Sequence, residues 1–195
     1  MKPAAEIEAC RTSQGRLLAG LASLTDEDFR SLSLLPGYSR AHLVTHLANK
    51  ARAHAWIFGG PAASEVRQLH PAGYNPVRAA EAGAHRTASE LCSDLLSSFL
   101  ILESAWGELD EMHWESQAIM TAGPRSMAEI VTHHLRNVEV HHVDLDIGYQ
   151  FADCLRTFVD GELAKRLRDL PNRADHSALL AWLLARAPAP DLGPW

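Results

Sequence analysis

Apolar residues return every three to four positions along most of the chain, which is the period of a helix with one buried face. This pattern predicts four long helices, over residues 3–24, 40–58, 77–109 and 127–145, the third of which can begin with a separate short piece. Two shorter helices are predicted over residues 152–170 and 177–186, and residues 112–122 are predicted to be extended. The predicted fold class is therefore mainly all-α, a four-helix bundle with a short C-terminal extension.

Capping residues mark where two of the long helices begin. Ser39 stands directly before the second, and Ser126 with Glu129 forms the S-x-x-E pattern of a capping box before the fourth. Residues 61–76 are rich in Pro, Gly, Ser and Asn, and residues 123–125 read Gly-Pro-Arg. A loop is therefore predicted over the first of these segments and a turn over the second.

The composition is that of an ordinary globular domain, with 47% hydrophobic and 22% charged residues in a chain of 195. The formal net charge is −6 and no basic run occurs, which argues against binding to nucleic-acid phosphates. No segment approaches the roughly 18 apolar residues of a membrane span. Charges also interrupt the N-terminus before any apolar segment typical of a signal peptide. We therefore expect no nucleic-acid partner and no membrane partner.

The three cysteines, Cys10, Cys92 and Cys154, are spaced too widely for a zinc pattern, and their odd number does not form a disulfide framework. Each is expected to be a buried, small apolar residue rather than a nucleophile. Free thiols are typical of a reducing compartment, so a cytoplasmic location is expected.

Histidine is the residue type whose number and placement stand out, with eleven in the chain. At about 100° per residue, His133, Asn137, His141 and Asp144 fall on one stripe of the fourth helix, within about 80° of one another. Glu139 lies about 160° from His141 and therefore cannot share an ion with it. An apolar face adjoins the polar stripe, which is the arrangement expected of a site that lines a bundle.

The second long helix supplies His42 and His46, which lie one turn apart. His46, His141 and one of Asn137 or Asp144 are three candidate ligands of a catalytic metal, whose fourth position would hold water or substrate. From spacing alone, a histidine in a helical bundle is more often a hydrogen-bonded core residue or a surface residue than a metal ligand. His42 is expected to be structural. The remaining separate histidines are expected to be surface or incidental residues, namely His54, His70, His85, His113 and His176.

Four segments of the chain resemble a known family. Residues 36–49 read PGYSRAHLVTHLAN, residues 135–150 read LRNVEVHHVDLDIGYQ, residues 151–160 read FADCLRTFVD, and residues 179–186 read LLAWLLAR. They resemble, in the same order along the chain, the motifs of mycothiol-dependent maleylpyruvate isomerases and their DinB-like relatives. The first resembles GW-S/T-R-A-H-x-x-x-H-L-A, the second R-E-V-x-V-H-x-V-D-L-x-x-G-Y, and the last L-L-A-W-L-x-G-R.

The resemblance implies a DinB-like four-helix bundle over residues 1–150, and a reduced C-terminal region, residues 151–195, packed on that bundle. It also implies a divalent metal, zinc in most of the family, bound at the positions of His46, Asn137 and His141. The family has a glutamate at the middle position. An amide is a weaker zinc ligand than a carboxylate, because it carries no charge.

The resemblance further implies catalytic roles for Asp144 and Arg186. We expect Asp144 to orient His141 rather than bind the metal, since ligating histidines usually donate their second ring N–H to a carboxylate or carbonyl. The C-terminal region departs from the family in two ways, because it is short and because Ala185 replaces the glycine before Arg186.

The implied function is a metal-dependent reaction of a small activated molecule, with the low-molecular-weight thiol mycothiol as cosubstrate. A metal lowers the pKa of a thiol, and the thiolate adds to an activated double bond. Expulsion of the thiol after rotation gives an isomerase, whereas retention gives an S-transferase. The alternative is a non-catalytic DinB-like protein that binds a small molecule or a partner through a degenerate metal site.

Overall fold

The structure is a computed structural model that describes residues 1–60 and 65–193. The chain forms two compact units, Met1–Leu155 and Arg156–Trp195. The regular secondary structure of the described part of the chain consists of helices and one small hairpin, so the predicted mainly all-α fold class is confirmed. None of the helices in this part is both long and apolar enough to cross a membrane.

The first unit is a bundle of long helices with shorter ones between them. Its helices are α1 (Ala4–Leu21), α2 (Asp26–Arg30), α3 (Arg40–Phe58), α4 (Pro76–Gly83), α5 (Ala88–Glu108) and α6 (Met127–Asp144), with a 3₁₀ helix at Glu111–Glu115. α3 packs against α4, α5 and α6, and α1 packs against α5 and α6. The third predicted helix is divided into α4 and α5, as the sequence allowed, and α3 has the predicted bounds.

Side-chain caps fix where α3 and α6 begin. The Ser39 hydroxyl accepts the backbone N–H of His42, and the His42 ring accepts the backbone N–H of Ser39. Ser126 and Glu129 form the same reciprocal pair at α6. Each cap is typically worth about 1 kcal/mol, because it satisfies backbone donors that the first turn leaves unpaired. The predicted starts of both helices are confirmed.

The hairpin precedes α6. Strand β1 (Gln117–Met120) pairs antiparallel with β2 (Gly123–Ser126), and this confirms that part of the region predicted to be extended. The turn predicted at residues 123–125 is wrong, because those residues belong to β2 and the chain reverses at residues 121–122. Gly123 has a φ of +101°, a conformation that glycine adopts without strain, so β2 begins directly after the two-residue reversal.

The loop predicted over residues 61–76 lies partly outside the described residues, since the structure describes it from residue 65. There the Leu69 N–H donates to the Ile119 carbonyl at 2.9 Å, which places the segment beside β1. His70 follows at once, and its ring stacks on Tyr74 with centroids 4.0 Å apart. The loop thus has a defined course where it is described.

Within residues 156–193, the second unit contains two helices, α7 (Arg156–Asp169) and α8 (His176–Leu183), with a 3₁₀ helix at Leu170–Asn172 between them. α7 begins four residues later than predicted, because residues 151–154 form a turn in which Asp153 accepts the N–H of Gln150. α8 ends before the predicted residue, because Ala185 adopts a φ of +55° that stops the helix.

The buried faces of α3 and α6 belong to the core of the first unit. Val44, Leu47 and Ala51 of α3 and Val131 and Val138 of α6 are all fully buried. Burial of such side chains contributes roughly 1.5–3 kcal/mol each for the larger ones, which fixes the two helices against their neighbours. The polar positions of both helices therefore border a packed core on rigid elements.

Candidate functional site

Two pairs of imidazole rings connect α3 and α6. The His46 and His141 rings lie with centroids 5.2 Å apart at 85° to each other. The His54 and His133 rings lie 5.5 Å apart at 78°. Residue numbers rise along α3 as they fall along α6, so the two helices run antiparallel. We call these four residues the histidine cluster.

His141 is held from behind by a carboxylate. Its Nδ1 lies 2.9 Å from Oδ2 of Asp144, and both side chains are mostly buried. With the carboxylate ionised, Nδ1 donates this hydrogen bond, so the lone pair of the neutral ring is on Nε2. The structure therefore brings Asp144 to His141, where it fixes both the tautomer and the direction of the ring.

His46 is neutral at physiological pH. Burial, and then the neighbouring charges of His141, Lys50 and His70, lower the pKa of His46 to about 4. Neutral imidazole is the form that binds a metal ion or accepts a proton. The arrangement therefore suits His46 to either of these roles.

Asn137 lies between His133 and His141 on α6 and is only 6% exposed. Its amide nitrogen donates to the His133 carbonyl at 2.9 Å and lies 3.0 Å from Nδ1 of the same residue. Its amide oxygen accepts no hydrogen bond from residues 1–60 or 65–193. The amide is thus fixed through its nitrogen and has an unused acceptor.

These residues suit a divalent metal by atom type but not by charge. In the described part of the chain, no group of three or more His, Cys, Asp or Glu side chains is placed to bind an ion. By atom type, His46, Asn137 and His141 match the three protein ligands usual in catalytic zinc sites, while the amide of Asn137 is hydrogen-bonded to His133. This set contains no carboxylate, so it fits a divalent ion with lower affinity than a set that contains one.

The position of His54 differs from the one predicted from the sequence. Its prediction as a surface or incidental residue is wrong, because the side chain is 0% exposed. His54 Nδ1 lies 3.3 Å from Nδ1 of His134, and His134 Nε2 lies 2.9 Å from the amide nitrogen of Gln14. Burial lowers the pKa of His134 to about 3, so this chain of side chains is neutral. The signal in the sequence was the eight-residue spacing from His46, which places both rings on one side of α3.

Lys50 is a second residue that the sequence analysis missed. It lies one turn after His46 and one turn before His54, and it is half-buried. Its charge contributes to lowering the pKa of His46, of His54 and of His70. No carboxylate pairs with Lys50 among the described residues.

Glu139 belongs to a different polar group, on another side of α6. It is fully buried and accepts the Tyr149 hydroxyl at 2.8 Å. The Tyr149 ring stacks on His142 with centroids 3.7 Å apart. Glu139 is therefore engaged away from the histidine cluster, as the helical geometry indicated.

None of the cysteines has the environment of a nucleophile. Cys10 and Cys154 are buried, as predicted, whereas Cys92 is partly exposed. Burial raises the pKa of all three thiols, that of Cys154 to about 12. The thiols are therefore protonated at neutral pH, and a reactive thiolate at this site would have to come from another molecule.

The two remaining candidate residues, His42 and Arg186, lie on different elements of the chain. His42 caps α3 and also contacts Glu81 through Nε2 at 2.8 Å, which is a structural role. Arg186 lies in the second unit, on the exposed turn after α8, where its backbone N–H donates to the Ala181 carbonyl at 2.8 Å.

Comparison with solved structures shows the same fold elsewhere. The chain is similar to the crystal structure of the mycothiol-dependent maleylpyruvate isomerase, with a TM-score of 0.79 and 21% identity over 85% of this chain and 69% of that one. It is equally similar to a mutant of that enzyme with one histidine replaced by alanine, at a TM-score of 0.79, 20% identity and the same coverage. No match was found among curated proteins. A family model, the mycothiol maleylpyruvate isomerase N-terminal domain, matches residues 10–146, and the chain belongs to this family.

Proposed function

We propose that the protein is a mycothiol-dependent isomerase or S-transferase of a small activated molecule, and that the histidine cluster is its active site. The observation that carries the proposal is the facing pair His46 and His141, with Asp144 hydrogen-bonded behind His141. In a chain of this family, such a pair supplies two ring nitrogens on rigid helices.

His46, Asn137 and His141 would hold the divalent metal, with zinc as the expected ion. When bound, the metal supplies positive charge that lowers the pKa of the cosubstrate thiol. Asp144 keeps the Nε2 lone pair of His141 directed toward the site. The low pKa of His46 keeps its ring unprotonated, so no proton competes with the ion at neutral pH.

The thiol chemistry balances without any other reactant. The thiolate forms a C–S bond to the activated double bond, and the π electrons move to the conjugated carbonyl oxygen. Rotation about the resulting single bond and loss of the thiolate restore the double bond in the other geometry. Protonation of carbon with retention of the C–S bond gives S-transfer instead. We propose Arg186 as a further catalytic residue, as the family resemblance implies.

A second candidate function is non-catalytic binding of a small molecule or partner. Asn137 favours it, because the amide is tied to His133 and replaces the charged ligand of the family. The metal content of the purified protein distinguishes the two functions. A purified protein with less than about 0.1 equivalents of metal, which does not bind added zinc, would favour the binding protein.

The assay is turnover with and without the thiol. Purified protein is loaded with zinc and given mycothiol, with maleylpyruvate for isomerisation and monochlorobimane for S-transfer, in which the C–S bond forms as the C–Cl bond breaks and chloride leaves. We expect product only when protein, metal and thiol are all present. Absence of thiol-dependent turnover of both substrates in a zinc-loaded, folded protein would reject the enzyme.

A further inference from the structure

Position 50 of α3 faces position 137 of α6. His46 pairs with His141 and His54 with His133, so each helix contributes two histidines eight residues apart. Lys50 is midway between the two on α3, and Asn137 is midway between the two on α6. Because the helices are antiparallel, the two middle positions lie opposite each other, about 6 Å along the axis from either histidine pair.

The charge of Lys50 is not balanced by the protein. No carboxylate pairs with it among residues 1–60 and 65–193. Asp144, the carboxylate that contacts the histidine cluster, is already hydrogen-bonded to His141. Burial lowers the pKa of His54, one turn after Lys50 on α3, so this ring carries no charge at neutral pH. A half-buried cation without a counter-ion is costly, so the environment favours a bound anion.

A buried hydrogen-bond donor lies one turn from Lys50. The amide nitrogen of Gln14 donates to Nε2 of His134, which therefore carries its proton on Nδ1. That Nδ1 donates to Nδ1 of His54, so the His54 proton is on Nε2. His54 Nε2 is fully buried and has no hydrogen-bond partner. An unpaired buried N–H costs about 1–3 kcal/mol, which an acceptor on a ligand would offset.

We propose that Lys50 and the Nε2–H of His54 form an anion-binding subsite, and that its ligand is a carboxylate of the substrate. The proposal rests on the proposed function, since it assigns the subsite to the same small molecule that meets the thiol. One ammonium and one neutral N–H match the single charge and two oxygens of a carboxylate. A phosphate would bring two negative charges to this one subsite and leave one of them uncompensated, whereas each carboxylate of a dicarboxylate carries a single charge.

The subsite is tested by binding alone, with no thiol and with a chelator that removes metal. Calorimetric titration with maleate measures the dissociation constant of the wild-type protein, Lys50→Met and Lys50→Arg. Lys165→Met is the matched control, because it removes a lysine charge from an exposed position. Dimethyl maleate has the same carbon frame without charge, and inorganic phosphate tests for general anion binding.

We expect Lys50→Met to weaken maleate binding by about tenfold or more, as is usual for loss of a charged hydrogen bond. Lys50→Arg, which keeps the charge, should stay within about threefold, and Lys165→Met should be unchanged. Dimethyl maleate should bind all four proteins equally weakly. Thermal unfolding checks that each variant is folded.

Three results would overturn the subsite. They are no saturable binding of maleate to the wild-type protein, equal affinity in Lys50→Met, or binding of phosphate as tight as that of maleate. The proposed function fails separately. If maleate binding depends on Lys50 but no thiol-dependent turnover occurs, then the subsite stands and the enzyme does not.

Discussion

The rings of His46 and His141 meet edge to face across two antiparallel helices, with centroids 5.2 Å apart. This relationship joins residues that are 95 positions apart in the chain. Asp144 fixes one of the two rings, and burial keeps the other neutral. The proposed function depends on this pair.

Asp144→Asn should weaken zinc binding by about 10–100-fold, the usual effect of losing a carboxylate that orients a ligating histidine. The cause is the loss of the charged acceptor at Nδ1 of His141. Zinc titration by calorimetry measures this effect. Asp146→Asn is the control, because Asp146 is exposed and makes no contact with the histidine cluster among the described residues. Equal zinc affinity in Asp144→Asn and wild type would show that Asp144 does not act through His141.

Asn137→Glu should raise zinc affinity, because it supplies a charged oxygen one turn before His141 on the same side of α6. Lys50 lies opposite and would pair with the new carboxylate, so the gain should be larger in the double variant Asn137→Glu/Lys50→Met. Zinc titration of both proteins measures which of them binds zinc more tightly. Thr132→Glu adds the same charge at an exposed position of α6 and should leave the affinity unchanged.

The ranking of the two variants is the informative result. A double variant that binds zinc no better than Asn137→Glu would show that positions 50 and 137 do not face each other. An unchanged affinity in a folded Asn137→Glu protein would show that residue 137 does not face the metal.

Lys50→Met should stabilise the ligand-free protein by about 1 kcal/mol, since it removes a half-buried charge that has no partner and keeps the apolar stem. Burial disfavours the charged form of Lys50, and for the same reason it lowers the pKa of this residue. Urea unfolding at pH 7 with a chelator measures the free energy, and Lys165→Met is again the control. Destabilisation by Lys50→Met would mean that the ammonium makes a favourable interaction within the protein.

The buried His134 should make stability depend on pH in a defined range. Its folded-state pKa of about 3 lies below the ordinary value of 6.5, because burial disfavours the charged ring. The unfolded chain therefore takes up this proton first as the pH falls, so the stabilisation present above pH 6.5 is lost between about 6.5 and 3. His134→Gln should reduce the slope of unfolding free energy against pH by up to ~1.4 kcal/mol per unit.

The matched control for this prediction is His85→Gln, which removes an exposed histidine. Urea unfolding at several pH values between 7 and 4 gives the slope for each protein. A slope that His134→Gln leaves unchanged, in a variant that is stable at pH 7, would contradict the assignment of a buried neutral His134.

Local signals predicted the helices well. Ser39 and the glycines after Phe58 gave α3 its bounds, and Ser126 with Glu129 gave the start of α6. These are interactions between residues close in the chain, which a sequence pattern contains directly. The prediction of a turn at residues 123–125 was wrong, because Gly123 begins strand β2 after the chain reversal and does not lie at the centre of the turn.

The site was only partly predictable, because its geometry depends on the register between two helices. Periodicity placed His133, Asn137 and His141 on one stripe, and the family resemblance added His46 from another helix. Neither the periodicity nor the resemblance indicated that His54 faces His133, because this contact follows from how α3 packs on α6. Lys50 was overlooked for the same reason, since an isolated lysine on a helix is usually solvated and only the packed structure shows its neighbours.

The most direct test of the account compares thiol-dependent turnover in His46→Ala, His141→Ala and His42→Ala, each loaded with zinc and assayed with mycothiol and both substrates. His42 is the control, because it is on the same helix as His46 but caps its start. We predict that kcat/KM falls by about 100-fold or more in the first two variants and by less than about threefold in the third. Equal turnover in His46→Ala and wild type would contradict the central claim that the His46–His141 pair is the active site.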